Sequence, residues 1–247
     1  MAGHSKWANI RHRKERMDSK RGKIFSRLIK EIAVAAKTGG IDPAANPRLR
    51  LAVEKAREAN VPNDNLERAI KRGGGQLEGA DYAEIRHEGY GPGGAAIIVD
   101  CLTDNKNRTL SEVRHAFTKH GGNLGTNGSV AYLFHRCGQI LCATGDNEIR
   151  LMEIAIENGA EDFEPVGSDN GEVEITCAPN DFPALLSALK TAGYAPEFAE
   201  IVMSATNEIS LKGEEAKRMQ KLLTALEDLD DTQQIHTSAI FEEEATS

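Results

Sequence analysis

The amino-acid sequence predicts an α+β protein in which an N-terminal helical domain is followed by two α/β domains, the third inserted into the second. Apolar residues recur at helical spacing up to the run Gly73–Gly75 and at the alternating spacing of strands after it. Residues 138–204 then follow the order βαββαβ, which is typical of the ferredoxin-like fold. Residues 80–135 lack a partner helix and strand, and the segment after residue 204 supplies them. The predicted domains are residues 1–75, residues 80–135 plus 205–241, and residues 136–204.

Three helices are predicted in the first domain. The first begins near Lys23 and ends at Gly39-Gly40. The second begins at Asn46-Pro47, because asparagine caps a helix and proline fits its first turn. In the third, Asp64 and Glu67 have capping-box spacing. Two helices joined by a short turn are compatible with a plain helical hairpin or with a helix-turn-helix unit, and the hairpin is favoured.

The second domain is predicted to combine a small sheet with two helices. Its first helix is expected to open with the capping box Thr109-Leu-Ser-Glu112 and to end at Gly121-Gly122. Residues 89–94 formally match GxGxxG, but a strand rather than a helix follows them, so we interpret them as a turn and expect no dinucleotide cofactor. The other expected elements are strands 82–88, 95–103, 129–134, 206–211 and 233–241 and helix 213–229.

The inserted domain is predicted to be acidic. Residues 137–204 contain 13 Asp and Glu, but their only basic residues are Arg150 and Lys190. This surface should repel nucleic acid, and it is suited to orienting the protein or meeting a protein partner. Its central strands lack the aromatic residues on which RNA-recognition motifs stack bases. The expected elements are strand 138–144, helix 146–158, strands 160–166 and 171–177, helix 181–192 and strand 196–204.

Charge is divided unevenly along the chain of 247 residues, whose net charge is −8. Residues 1–72 contain 18 Lys and Arg against 8 Asp and Glu, a net charge of +10, so the remainder carries −18. This asymmetry indicates an oriented encounter with a polyanion. In residues 1–22, seven basic side chains accompany only Glu15 and Asp18. We expect this arm to order on a polyanion, and the alternative is an ordinary solvated terminus.

Several classes of protein are excluded by composition and motifs. No run of about 18 apolar residues predicts a membrane span, and the N-terminus lacks a signal-peptide core, so we expect a cytoplasmic protein. The four cysteines have no CxxC spacing and are expected to be buried, reduced thiols. No GxSxG, HExxH or P-loop motif is present. We therefore expect no enzyme activity, metal, cofactor or small-molecule substrate.

Four stretches closely resemble the YebC family: residues 1–32 (beginning MAGHSKWANIRHRK), 39–73 (ending NVPNDNLERAIKRG), 88–109 (beginning EGYGPGGAAIIVD) and 121–134 (GGNLGTNGSVAYLF). The mitochondrial translational activator of cytochrome c oxidase subunit I is similar. The resemblance covers residue 1 to about 240. It implies the same three domains, and a cytoplasmic, non-enzymatic protein of a family widely named probable transcriptional regulators that bind DNA. It also implies, from other members, ribosome association and contact with ribosomal RNA near the peptidyl-transferase centre.

Two functions therefore stay open. The family name favours a DNA-binding transcriptional regulator, and this is the first candidate function. A lone tryptophan in a basic arm, where it could stack on an unpaired base, favours a ribosome-associated factor that binds RNA. By the resemblance, residues 4–10, 12–14 and 20–23 form the nucleic-acid-contacting arm, and basic residues of the helical domain could extend it. The predicted nucleic-acid-binding residues are His4, Lys6, Trp7, Arg11, His12, Arg13, Lys14, Lys20, Arg21, Lys23, Arg27, Lys30, Arg48 and Arg50.

Overall fold

The computed structural model describes residues 21–145, 147–166 and 171–241, and it confirms a helical N-terminal region followed by sheet-containing units. The helices are α1 (Arg21–Gly39), α2 (Pro47–Glu58), α3 (Asn63–Gly73), α4 (Lys106–Lys119), α5 (Glu148–Glu157), α6 (Phe182–Thr191) and α7 (Gly213–Glu227). The strands are β1 (Ala83–Tyr90), β2 (Ala96–Thr103), β3 (Asn123–Leu124), β4 (Phe134–Ala143), β5 (Ala160–Val166), β6 (Glu172–Cys177), β7 (Phe198–Ala205), β8 (Ile209–Leu211), β9 (Thr232–Thr237) and β10 (Ala239–Phe241).

Helix α1 packs against both α2 and α3, and the three apolar faces share one core. Asn46 caps α2 as predicted, because its side-chain oxygen accepts the N–H three residues on at 3.1 Å. Its amide group also donates to the carbonyls of Ala35 and Gly40, both at 2.8 Å, which fixes α2 to the end of α1. The predicted cap of α3 is wrong. Pro62 precedes this helix without a side-chain cap, and Asp64 lies in its first turn.

The first sheet has the strand order β3-β1-β2-β9, and every neighbouring pair in it is antiparallel. Helices α4 and α7 cover one face, where Val99, Phe117 and Leu222 are fully buried. Ile98 and Val130 lie in a second cluster with the first residue of β4. Strands β8 and β10 form a separate parallel pair. Both segments that flank the predicted insertion therefore contribute to one sheet and its helical layer.

Three predicted element boundaries in this region are wrong. Asn105 caps α4, so the helix begins before the predicted capping box and Thr109 is buried inside it. Residues 129–133 form no strand, and Phe134 is the first residue of β4. Ala131–Leu133 form a short 3-10 turn. The backbone N–H groups of Val130 and Ala131 donate to the Glu88 carboxylate rather than to a neighbouring strand. The predicted strand 233–241 is interrupted between β9 and β10.

The second four-stranded sheet has the order β5-β6-β4-β7, with antiparallel neighbours, as in the ferredoxin-like fold. Helices α5 and α6 pack on it around Leu151 and Leu185. The N–H of Met203 on β7 donates to Nδ1 of His236 on β9 at 3.3 Å, which connects this sheet to the first. The exact predicted domain limits stay a prediction.

A charged group crosses three strands of the first sheet. Arg86 and Asp100 are directly opposite on β1 and β2, and two hydrogen bonds of 2.7 and 2.9 Å join them. Nε2 of His236 lies 3.6 Å from the Asp100 carboxylate. Burial alone would raise the pKa of Asp100, but the nearby His236 and the hydrogen bonds from Arg86 outweigh it and lower the pKa to about 2.

Candidate nucleic-acid interface

The predicted contact residues fall partly outside the described part of the chain. Arg21 is the first residue of α1, and its side chain also lies outside that part. The structure places the side chains of Lys23, Arg27 and Lys30 on α1 and of Arg48 and Arg50 on α2. The residues outside the described ranges are His4, Lys6, Trp7, Arg11, His12, Arg13, Lys14 and Lys20.

Lys23 and Arg27 lie one turn apart on α1 and face the end of α7. Arg27 Nη2 donates to the carbonyl of Glu227 at 2.6 Å, and only 9% of Arg27 is exposed. Lys23 donates to the carbonyl of Asp228 and lies 3.6 Å from the Asp230 carboxylate. The last carbonyls of a helix lack intrahelical partners and carry the negative end of its dipole. Both cations therefore cap the C-terminal end of α7, although about 200 residues of sequence separate them from that helix end.

Lys30 lies on the same side of α1 and binds a buried carboxylate. Its Nζ is 2.8 Å from Oδ1 of Asp231, a residue that is 2% exposed. The other carboxylate oxygen accepts hydrogen bonds from Arg108 at 2.7 Å, Thr103 at 2.9 Å and Thr109 at 2.8 Å. We call these five residues the Asp231 cluster. It joins α1, the start of α4 and the segment before β9.

The electrostatics of the Asp231 cluster follow from this geometry. Burial alone would raise the pKa of Asp231, but hydrogen bonds from Arg108, Lys30 and the two threonines outweigh it and hold the pKa well below its usual range. Lys30 also donates to the carbonyl of Asp230 at 3.0 Å and lies 5.4 Å from the ring centre of Tyr82. Lys30 is thus occupied by protein groups on several sides.

The two arginines of α2 differ in their surroundings. The Arg48 guanidinium forms two hydrogen bonds to Glu31, of 2.6 and 3.1 Å, and lies 2.5 Å from a carboxylate oxygen of Glu84. Burial would lower the pKa of Arg48, but these two carboxylates outweigh it and raise the pKa. Arg50 is exposed, and among the described residues it donates only to the carbonyls of Pro43 and Ala44, at 3.3 and 3.4 Å. The sequence prediction grouped all five side chains as phosphate contacts, whereas Arg27, Lys30 and Arg48 bind partners within the protein.

The helix-turn-helix alternative finds little support in the exposed faces of α2 and α3. On α2, Lys55 pairs with Glu200 of β7 at 3.0 Å, and Glu58 pairs with Lys190 of α6 at 3.1 Å. The exposed residues of α3 include acids as well as bases, with Lys71 3.9 Å from Glu67. A helix that enters a DNA groove presents free polar and cationic side chains along one face. Along the described residues, neither helix has such a row.

Sequence reasoning missed an anchored loop that follows β3. The Glu88 carboxylate, which is buried in β1, accepts three backbone N–H groups: those of Gly128 at 2.8 Å, Val130 at 2.8 Å and Ala131 at 2.7 Å. Burial would raise the pKa of Glu88, but these three donors outweigh it and lower the pKa. The next residue, Tyr132, is 73% exposed. The signal in the sequence was the glycine-rich stretch 121–128, which we interpreted only as a helix stop before a strand.

Neither a metal cluster nor a membrane-spanning helix occurs in the described part of the chain. In the ranges 21–145, 147–166 and 171–241, no group of three or more His, Cys, Asp and Glu residues could hold a metal ion. None of the helices described there combines the length and the apolar character of a membrane span. All four cysteines are buried thiols that form no disulfide, as expected.

Two family models match the chain. The TACO1/YebC protein N-terminal domain matches residues 5–76, and the TACO1/YebC second and third domain matches residues 82–239. The chain belongs to the TACO1/YebC family. The resemblance found in the sequence is thereby confirmed.

Relatives in this family are similar over their full length. Probable transcriptional regulatory proteins from Cupriavidus taiwanensis and Cupriavidus necator are each 60% identical over 243 residues, which covers 98% of this chain and 100% of theirs. A conserved hypothetical protein, Aq1575, from Aquifex aeolicus has a crystal structure that superposes with a TM-score of 0.81. It is 46% identical, and the match covers 93% of this chain and 94% of that one. The family is thus one of regulatory proteins by name, and the fold is shared.

Proposed function

We propose that this chain is a cytoplasmic, non-enzymatic, nucleic-acid-binding regulatory protein that contacts phosphates mainly through residues 1–22. The observation that carries the proposal is the distribution of positive charge. Arg27, Lys30 and Arg48 bind carbonyls and carboxylates of the protein. Residues 1–22 hold seven further Lys and Arg against two acids. The excess positive charge available to a ligand is therefore concentrated at the N-terminus.

Phosphate contact provides a physical mechanism for this segment. Each Lys or Arg that neutralises a phosphate releases condensed counterions, so affinity falls steeply with salt. Arginine forms bidentate contacts to phosphate, and Trp7 can stack on an unpaired base. The acidic inserted unit disfavours a phosphate chain on its own surface. Our proposed contact residues are His4, Lys6, Trp7, Arg11, His12, Arg13, Lys14, Lys20 and Arg21, with Lys23 and Arg50 at the edge.

DNA is the first candidate ligand, because the relatives are named probable transcriptional regulatory proteins. Ribosomal RNA is the second, and with it a role as a ribosome-associated translation factor. The mixed charges on α2 and α3 favour this second candidate, since binding structured RNA by phosphate contact and stacking needs no helix in a groove. Crosslinking in cells separates the two: recovery of chromosomal DNA supports the first, and recovery of ribosomal RNA supports the second.

A charge reversal in the full-length protein tests the common part of the proposal. We expect Arg11→Glu/Arg13→Glu/Lys14→Glu to abolish binding to labelled DNA and RNA in a gel shift. Each lost phosphate contact should reduce the slope of log K against log salt by about 0.7–0.9. The matched control reverses Arg57, Arg68 and Lys106, which are exposed and form no ion pair within the described chain. Equal losses in both triple variants, or no loss in the first, would refute the proposal.

A further inference from the structure

We infer that Tyr132 is a stacking platform for an unpaired base of single-stranded RNA, a point that rests on the proposed function. Tyr132 lies in the 3-10 turn between β3 and β4, and 73% of its surface is exposed. It is the most exposed large apolar or aromatic residue of the described chain. Base–aromatic stacking is tolerant of sequence, because every base has a π face.

The backbone on both sides of Tyr132 is fixed. Glu88 holds Val130 and Ala131 by hydrogen bonds of 2.8 and 2.7 Å. After the tyrosine, the N–H of Leu133 donates to the carbonyl of Val130 at 2.9 Å, and the carbonyl of Leu133 accepts the N–H of Thr206 at 2.9 Å. The exposed ring therefore stands on an ordered support, so its binding to a base would cost little conformational entropy.

Tyr132 also lies near Tyr90 of β1. Tyr90 donates to the carbonyl of Ser129 at 3.2 Å, and its interaction with the Tyr132 side chain raises the pKa of Tyr90. Tyr90 is half-buried on the first sheet. The exposure of Tyr132 leaves surface of its ring open to solvent.

The surroundings suit a nucleic acid better than a protein. His135 and Arg136 follow at the start of β4, both exposed, and Arg136 has no ion pair among residues 21–145, 147–166 and 171–241. On the other side are Thr126, Asn127 and Gly128, which are exposed and small or polar. A protein hot spot is normally surrounded by further apolar contacts. An exposed ring that follows a glycine-rich loop and precedes an exposed arginine by four residues offers a stacking surface and a nearby cation in the sequence for one nucleotide.

Affinity measurements on the full chain test this inference. The probes are a fluorescein-labelled unstructured 12-nucleotide RNA and a duplex DNA of equal length, followed by fluorescence anisotropy. We expect Tyr132→Ala to bind the RNA about 5- to 150-fold more weakly, the range for loss of one stacked base, and to bind the duplex nearly as tightly as wild type. Tyr132→Phe should recover most of the lost affinity, because it keeps the ring. Ile149→Ala, which truncates an exposed apolar residue on the acidic unit, is the matched control and should bind as wild type.

A fluorescence reporter measures stacking directly. In Trp7→Phe/Tyr132→Trp the only tryptophan is at position 132, and saturating RNA should quench its emission and shield it from acrylamide. Unchanged emission, or wild-type RNA affinity in Tyr132→Ala, overturns the inference. If the arm charge reversal still abolishes binding in that case, the proposed function stands while the role of Tyr132 fails. Failure of the wild-type protein to bind either probe overturns both.

Discussion

Replacing Asp231 with alanine should loosen the contact between α1 and the first sheet. The variant leaves Lys30 with 13% of its side chain exposed and without its carboxylate, next to the buried hydroxyls of Thr103 and Thr109. The Arg108 side chain is 46% exposed and keeps its ion pair with Asp104 at 2.9 Å, so the loss of its contact with Asp231 costs little stability. Removal of one partner from a buried ion pair costs about 3–5 kcal/mol. We expect that decrease in the free energy of unfolding, and a fall in Tm of about 6–20 °C.

Urea unfolding followed by circular dichroism measures this difference. The neighbouring variant Asp230→Ala is the control, because the Asp230 side chain is 88% exposed and lies 3.6 Å from Nζ of Lys23, whose side chain is itself 37% exposed. A surface pair of this kind is worth about 0–1 kcal/mol. If Asp231→Ala loses no more stability than Asp230→Ala, the Asp231 cluster does not hold α1 in place and the reasoning is wrong.

Two further predictions concern carboxylates of the first sheet, half-buried Asp100 and buried Glu88. The pKa of Asp100 in the folded protein, about 2, is below its unfolded value, so its stabilisation is present above about pH 4 and is lost as the pH falls towards 2. The stability difference between wild type and Asp100→Asn should shrink from about 2 kcal/mol at pH 6 to near zero at pH 2; a difference independent of pH would contradict this. In Glu88→Gln the amide replaces one acceptor oxygen with a donor, so amide hydrogen exchange at Gly128, Val130 and Ala131 should accelerate, whereas unchanged protection would show that Glu88 does not anchor the loop.

Local signals in the sequence were sufficient for most elements. Asn46-Pro47 predicted the start of α2 because both residues act within one turn of the helix. The order βαββαβ predicted the second four-stranded sheet because short connections restrict which strands can be neighbours. The prediction of the start of α4 failed because a residue distant in the sequence determines the local structure there. Thr109 looked like a helix cap, but its hydroxyl binds Asp231, which lies 122 residues further along the chain.

The candidate interface was less predictable for the same reason. Lys23, Arg27 and Lys30 have the pattern of a solvated basic face, and nothing nearby in the sequence indicates that carbonyls and carboxylates at 227–231 will meet them. Tyr132 was assigned to a strand because alternation does not reveal that Glu88 takes the backbone N–H groups a strand would need. The overall charge asymmetry was visible at once, because it depends on composition alone.

In the function proposed above, the N-terminal segment binds phosphates while the cations of α1 join parts of the protein. Ultraviolet crosslinking of the full-length protein to bound nucleic acid, with mass spectrometry of the modified peptides, maps this contact residue by residue. We predict modified peptides within residues 1–22 and none that contain Arg27 or Lys30. Modification concentrated on α1 beyond Lys23, or on helices α5 and α6 of the acidic inserted unit, with residues 1–22 untouched, would refute this assignment.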